Sequence, residues 1–468
     1  MSSHRVAGAP LDFDALRTQL EVPGDFAASV LADAERAAGT ARLPDEDATD
    51  LPFVTIDPAG SRDLDQAVHI ARSGDGYIVS YAIADVAGFV IPGSELDLES
   101  HRRGETLYFP DKRVPLHPAS LSEGAASLLP DQIRPAVLWR MALDAVGNVT
   151  NIDVRRARVR STAQLDYVGT QQMLDAGTLP DAIKALPDVG RLRMQLARQR
   201  HAINLDMPEQ LVESDGSGGW SITLRETLPV EQYNAEISLL TGMCAATLML
   251  EGGIGVLRTI PPPAPDAVAA LRRAAAALHI EWPANTPPGD VLSTVDRGDP
   301  RHVALVEHAA SLLRGAAYTV FDGAPAAQRD HSGIGAPYAH VTAPLRRLVD
   351  RFGSEICLAL QAKRPVPEWV RNALPTLPDE MHEADQRAHA IDRAVVDATE
   401  AWLLRDRVGE LFDAVVIDAD QHAGTVVLDK PAVRARCDGA NLPVGQPVQV
   451  RLTKADVAAR EVRFEVAR

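Results

Sequence analysis

Cysteine is scarce: Cys244, Cys357 and Cys437 stand far apart in 468 residues, with no CxxC or CxxH neighbour. That spacing excludes a disulfide framework and a thiolate zinc site, and leaves each thiol as a small buried apolar group. Long apolar runs are also missing. Nothing approaches the roughly 20 residues that span a bilayer, and no basic start leads into an apolar stretch near Met1. The expectation is a cytoplasmic protein with no membrane contact. Positive charge is short as well: the formal net charge is -17, which repels polyanions over most of the surface, so a nucleic-acid ligand requires a local basic channel.

What is present is ample core material, with 46% hydrophobic and 24% charged residues, and a length that suits two to four domains. Two short helical patterns, "DFDALRTQLE" and "GDFAASVLADAERAA", open the chain, with Leu16, Leu20, Phe26, Val30 and Leu31 as the predicted buried stripe. A polar linker, "LPDEDATD", follows. The apolar run at residues 51–56 then reads as a buried strand, and "GYIVSYAIADVAGFV" supplies one or two more, which places the intervening acidic stretch at a sheet edge. Residues 160 to about 400 read as mainly helical, including "HVALVEHAASLLRGAAYTVF". The last 60 or so residues carry five short β-rich runs, which suits an OB-type barrel.

The stretch "TIDPAGSRDLDQA" gathers Asp57, Asp63 and Asp65 within nine positions, with Gln66 next. Magnesium takes oxygen ligands, one or two of them carboxylates, and leaves other positions for water and substrate phosphate. Asp63 and Asp65, two apart, share a side if the chain is extended there, and Asp57 can return across the Pro58-Ala-Gly60 turn. The same pattern also suits a solvated acidic turn.

The surroundings separate these alternatives. This stretch, with "RGETLYFPDKRVPLHPASLSEGAASLLPDQIR" and later "HVTAPLRRLVD", resembles the catalytic domain of the ribonuclease II (RNB) family over roughly residues 50 to 405. The resemblance implies an α+β architecture: a small helical region (1–48), an RNB-like catalytic domain (49–405) with a mixed sheet and helices around an RNA channel, and a C-terminal OB barrel (406–468). It further implies a processive, magnesium-dependent exoribonuclease, with manganese able to substitute, that degrades RNA from a single-stranded 3′ end to nucleoside 5′-monophosphates. A monomer is the simplest assembly. Family members commonly carry two cold-shock-type domains before the catalytic region. The first motif here begins near residue 51, so the expectation is weaker anchoring of single strands and readier entry into structured RNA.

Residue by residue, Asp57, Asp63 and Asp65 fall on three of the family's four active-site aspartates, and Gln66 stands at the fourth. Its amide oxygen can ligate a cation but brings no charge. Asp57 and Asp63 are assigned to metal binding, and Asp65 to metal binding or the chemical step. In the arginine motif, Thr342, Pro344, Arg346, Arg347 and Asp350 match, whereas Ala343, Leu345 and Leu348 replace Ser, Ile and Tyr. Arg346 matches the phosphate-contacting arginine, with Arg347 beside it on the RNA. Tyr108 matches a tyrosine near the terminal nucleotide, and Tyr167 resembles another farther along the RNA path. Gly242 stands where Asn is usual. His340 reads as structural, and Asp392 is a loose match to an acid beside the leaving nucleotide. The basic stretches 154–160, 191–201 and 271–273 are candidates for lining the channel. Because Gln66 lowers the charge of the site, a catalytically impaired RNA-holding protein is the main alternative; a phosphodiesterase of small nucleotides leaves the OB barrel without a task.

Overall fold

The computed structural model describes residues 11–205, 207–216, 219–296 and 298–467. Its centre is a closed barrel of five strands, Phe53–Asp57, Gln66–Ser73, Gly76–Ala84, Ile133–Leu143 and Val149–Asp166, in that order. Neighbours are antiparallel except at the closure, where Phe53–Asp57 runs parallel to the end of Val149–Asp166. Period-two alternation sends Val54, Ile56, Val137, Trp139 and Met141 to one core and Phe53, Ala136 and Leu138 to another. The first core includes residues of the helices Pro229–Gly252 and Leu348–Gln361, and the second includes the N-terminal helix Ala28–Thr40. Trp139 is wholly buried, and burial of such a side chain contributes on the order of 2–3 kcal/mol.

Barrel closure corrects one expectation. Phe53–Asp57 is paired on both sides, so the acidic stretch lies at the mouth of a barrel and not at a sheet edge. Asp57 ends one strand, Asp63 and Asp65 lie in the connection, and Gln66 opens the next strand.

The short helix Phe13–Gln19 buries Phe13 and Leu16 against Leu107, Phe109 and Val114. Arg17 adds an ion pair to Asp111 at 2.8 Å. This helix therefore buttresses the hairpin that carries Tyr108. Leu16 and Val30 are buried and Leu20 and Phe26 are partly so, but Leu31 is exposed, because it falls outside the face that Val30, Ala34 and Ala37 turn to the core.

The region read as mainly helical holds two antiparallel strand pairs. Ala317–Asp322 pairs with Ile254–Thr259, so "AYTVF" is strand; Gly315, at φ +88°, follows the helical stretch before it. Glu209–Ser214 pairs with Trp220–Arg225. The helix Leu377–Leu404 runs from the Tyr108 hairpin, where Ile391, Ala394 and Val395 pack, to the C-terminal barrel, where Ala401 and Leu404 pack. That barrel closes five strands, Leu411–Ala419, Ala423–Leu428, Val433–Asp438, Pro447–Asp456 and Glu461–Val466. All three cysteines are buried thiols.

Candidate active site

The acidic connection is held by its one buried apolar residue. Leu64 is fully buried, its N–H donates to Ser127 Oγ at 2.9 Å, and its carbonyl accepts from Leu128 N at 3.0 Å. The carboxylates on either side consequently reach different partners. Asp65 is almost wholly buried: Oδ1 accepts from the backbone N–H of Leu345 at 2.7 Å, and Arg346 Nε lies 3.5 Å from Oδ2. Burial pushes its pKa well above the ordinary carboxylate value, against the pull of Arg346. Asp63 is ion-paired with Arg113, whose other guanidinium nitrogen is 2.6 Å from Glu123. Asp57 Oδ2 is buried without a hydrogen-bond partner, and burial with repulsion from Asp63 pushes its pKa up to about 7. The Gln66 side-chain amide donates to the Thr342 carbonyl.

Among the described residues, no three His, Cys, Asp or Glu side chains converge into a ready-made metal centre. The donor set nevertheless fits a single hard cation. Asp57 presents a buried carboxylate oxygen that lacks a partner and feels the charge of Asp63, and magnesium needs only one or two protein carboxylates.

The arginine segment is not on a helix. It is a turn ahead of Leu348–Gln361, braced by Asp350, whose Oδ1 accepts from Ala343 N at 2.7 Å. Arg347 gives its fork to Asp350, at 2.5 and 3.0 Å. Arg346 remains 45% exposed beside Asp65. Of the two, Arg346 is therefore the guanidinium available to a ligand, and Arg347 is the brace.

Backbone hydrogen bonds tie this turn to the Tyr108 hairpin: Thr106 N donates to the Arg346 carbonyl at 3.0 Å, and Leu348 N to that of Gly104 at 2.9 Å. A cavity of about 140 Å³ opens at the junction, lined by Glu105, Thr106, Tyr108, Arg346, Arg347 and Asp392 among others. Tyr108 and Asp392 also line a groove of about 730 Å³ between the hairpin Glu209–Ser214, the helix Leu377–Leu404 and the C-terminal barrel. Tyr108 keeps its ring half exposed, and burial of the hydroxyl pushes its pKa up to about 12. Glu105 is raised to about 7, first by burial and then by Asp385.

Tyr167 is not among the residues lining either space; it starts a helix, packs partly against the main core, and its phenol hydrogen-bonds Asn234 near Asp57. His340 pairs with the Tyr318 hydroxyl at 2.8 Å, and burial holds its imidazole neutral. A Cβ at Gly242 would meet the Tyr338 ring at 2.1 Å, so a glycine there admits the segment leading into the arginine turn. The basic stretch 154–160 does not line the groove: Arg155, Arg156 and Arg158 are ion-paired with Glu46, Asp85 and Asp47. The groove's arginines are Arg393, Arg434 and Arg436. Glu105, Arg113 and the Thr342 carbonyl escaped the sequence reading. Glu105 alone left a signal there, as a charged residue at the head of the apolar "TLYFP".

The family model for the RNB domain matches residues 45–354, and that for the RNase II-type exonuclease C-terminal S1 domain matches residues 410–467. Ribonuclease R 1 of Lactococcus lactis is 24% identical over 454 residues, covering 88% of this chain; the chain spans only 55% of that relative's length. The solved Mycoplasma genitalium RNase R in complex with ribose methylated single-stranded RNA superposes with a TM-score of 0.86 at 19% identity, covering 97% of this chain and 77% of that one. Yeast Ssd1, described as a pseudonuclease, superposes with a TM-score of 0.69 at 17% identity, covering 89% of this chain and 52% of its own. With a family match over well over half its length, the chain belongs to the RNB family.

Proposed function

We propose that this chain is a magnesium-dependent, processive 3′ to 5′ exoribonuclease that hydrolyses single-stranded RNA to nucleoside 5′-monophosphates, acting as a cytoplasmic monomer. The observation that carries the reading is the pairing of an available guanidinium, Arg346, with buried Asp65, at a cavity entered from a larger groove. A guanidinium fork matches a phosphate in geometry and charge.

Asp57 and Asp63 are the residues to hold the cation, with Asp65 and the Gln66 amide beside them. When bound, magnesium supplies charge neutralisation at the phosphoryl group and activation of water. The chain's own residues do the rest. Arg346 grips the phosphate, Asp65 orients Arg346, and Tyr108 offers a half-exposed ring on which a base can stack. The groove presents Arg393, Arg434 and Arg436 to an anionic strand, interspersed with Glu209, Asp392, Asp397 and Glu400, so its grip on the backbone falls to individual guanidinium contacts and not to a continuous basic track.

The test is a 5′-labelled unstructured RNA incubated with magnesium, beside Asp65→Asn and a chelator control, with products resolved at single-nucleotide spacing. The expected result is a ladder receding from the 3′ end, with nucleoside 5′-monophosphates released and both controls silent. One observation favours a second reading, an RNA-holding protein without cleavage: Asp63 is ion-paired with Arg113, and Gln66 brings no charge to replace it. Tight RNA binding with no product under magnesium or manganese selects that reading.

A further inference from the structure

Asp63 has a cationic partner built into the site. Arg113 pairs directly across the hairpin from Tyr108, so the two side chains leave the same face. The Arg113 guanidinium is held at both ends: one nitrogen pairs with Asp63, and the other lies 2.6 Å from Glu123. Glu123 stands on the short helical turn Leu121–Ala125. The chain just beyond that turn is locked to the acidic connection, because Ser127 Oγ donates to the Arg62 carbonyl at 2.6 Å and accepts from Leu64 N at 2.9 Å. Apart from burial, the groups that act on the Tyr108 hydroxyl are Arg346, Asp63, Asp65 and Arg113. Arg113 thus belongs to the same charge cluster as the acids and the phosphate-binding arginine. Four carboxylates, Asp57, Asp63, Asp65 and Glu123, meet three guanidiniums: Arg346 lies beside Asp65, Arg113 bridges Asp63 and Glu123, and Arg62 Nε is 3.7 Å from Glu123. Asp57 is the one left with a buried oxygen that has no hydrogen-bond partner.

We propose, resting on the metal-dependent exoribonuclease reading of this site, that Arg113 takes the place of a second metal ion, so that the site works with one divalent cation and one guanidinium. Two divalent ions about 3.5–4 Å apart need carboxylates enough to offset their mutual repulsion. Here Asp63 gives an oxygen to Arg113, and Gln66 adds no charge. An ionised carboxylate has two oxygens, so Asp63 can keep Arg113 on one and offer the other to the ion beside Asp57. A second ion must either displace a guanidinium that Glu123 clamps from behind or lie against its positive charge. Arg113 supplies a fixed positive charge next to the acids whether or not any ion is bound. Its role is one of positioning: it acts through Asp63, by orienting that carboxylate and excluding a neighbouring ion.

The experiment uses the full chain without RNA and with manganese as the probe. Bound ions are counted by electron paramagnetic resonance for wild type, Arg113→Gln and Arg113→Lys, after subtraction of the surface ions that an Asp57→Asn, Asp63→Asn double variant still holds. Wild type is expected to hold one ion, with the spectrum of an isolated centre. Arg113→Gln is expected to hold two, with the spin coupling of close neighbours. Arg113→Lys keeps the positive charge and is expected to remain at one. Two ions in wild type or in Arg113→Lys, or one in Arg113→Gln, overturn the proposal and leave the exoribonuclease reading standing. No ion in wild type overturns the proposal together with the metal-dependent reading. The magnesium dependence of wild-type cleavage gives a second measurement that needs no variant to fold. It is expected to rise with a Hill slope of about 1, and a slope of about 2 rejects the proposal.

Discussion

The side-chain amide of Gln66 donates to the backbone carbonyl of Thr342, so the fourth position of the acidic motif is tied directly to the arginine turn. An aspartate at this position adds charge to the site but cannot donate. The Gln66→Asp variant is therefore expected to need several-fold less magnesium for half-maximal cleavage. It also leaves the Thr342 carbonyl unpaired, which costs about 1–3 kcal/mol and lowers the melting temperature in chelator. Melting and magnesium titrations that both match wild type would show that Gln66 couples nothing.

Oδ2 of Asp57 is buried without a hydrogen-bond partner, and the carboxylate is repelled by Asp63. Asp57→Asn removes that burden and is expected to raise stability in chelator at pH 8 by about 1–3 kcal/mol. The same variant loses the stabilisation that magnesium confers on wild type, together with cleavage. Thermal melts with and without magnesium read both effects, and a variant that melts lower in chelator refutes the account.

Arg346 is the exposed fork of its pair, so its contribution falls on substrate and not on folding. Arg346→Ala is expected to lower kcat/KM on RNA by about 100-fold or more, with a melting temperature close to wild type. Arg346→Lys restores only part of that loss, because an ammonium cannot reproduce a bidentate contact. Full recovery in the lysine variant contradicts the role assigned to the fork.

Glu400 joins three elements: its Oε1 accepts from Arg434 N at 2.7 Å and from Gln210 Nε2 at 2.8 Å. Burial pushes its pKa up to about 7. An acid whose folded pKa lies above its unfolded value carries no penalty below the unfolded value, near 4.5. The penalty grows as pH rises and is complete above about 7. Glu400→Gln keeps an acceptor and removes the charge. It is expected to stabilise the fold at pH 8, on the order of 1–3 kcal/mol, and to leave it unchanged at pH 4. Denaturant titrations at the two pH values check this, and an equal effect at both removes ionisation from the explanation.

Elements governed by local pattern were legible in the sequence. The strand ending at Asp57 announces itself as a short continuous apolar run, the five terminal β-runs by alternation, and the long helix beginning at Pro229 by composition. "AYTVF" was not, because its apolar residues continue the preceding helical pattern and only pairing with Ile254–Thr259 makes it a strand. Within the site, the resemblance to the RNB family singled out Asp57, Asp65 and Arg346. The arginine pair's position in a turn, and the commitment of Asp63 and Arg347 to Arg113 and Asp350, depend on tertiary contacts. Glu105 lay beyond reach for the same reason, since its cavity forms only where the Tyr108 hairpin meets the arginine turn and the helix Leu377–Leu404.

The hydrogen bond from Leu345 to Asp65 spans 280 positions, and this separation bears on the order of events during synthesis. A ribosome that has released the barrel strands has delivered all three aspartates, yet neither Arg346 nor the backbone donor that fixes Asp65 has been translated. A nascent or prematurely terminated chain thus carries an acidic loop with no phosphate grip. On the proposed activity, the message being read is spared by its own unfinished product until the last third of the polypeptide arrives.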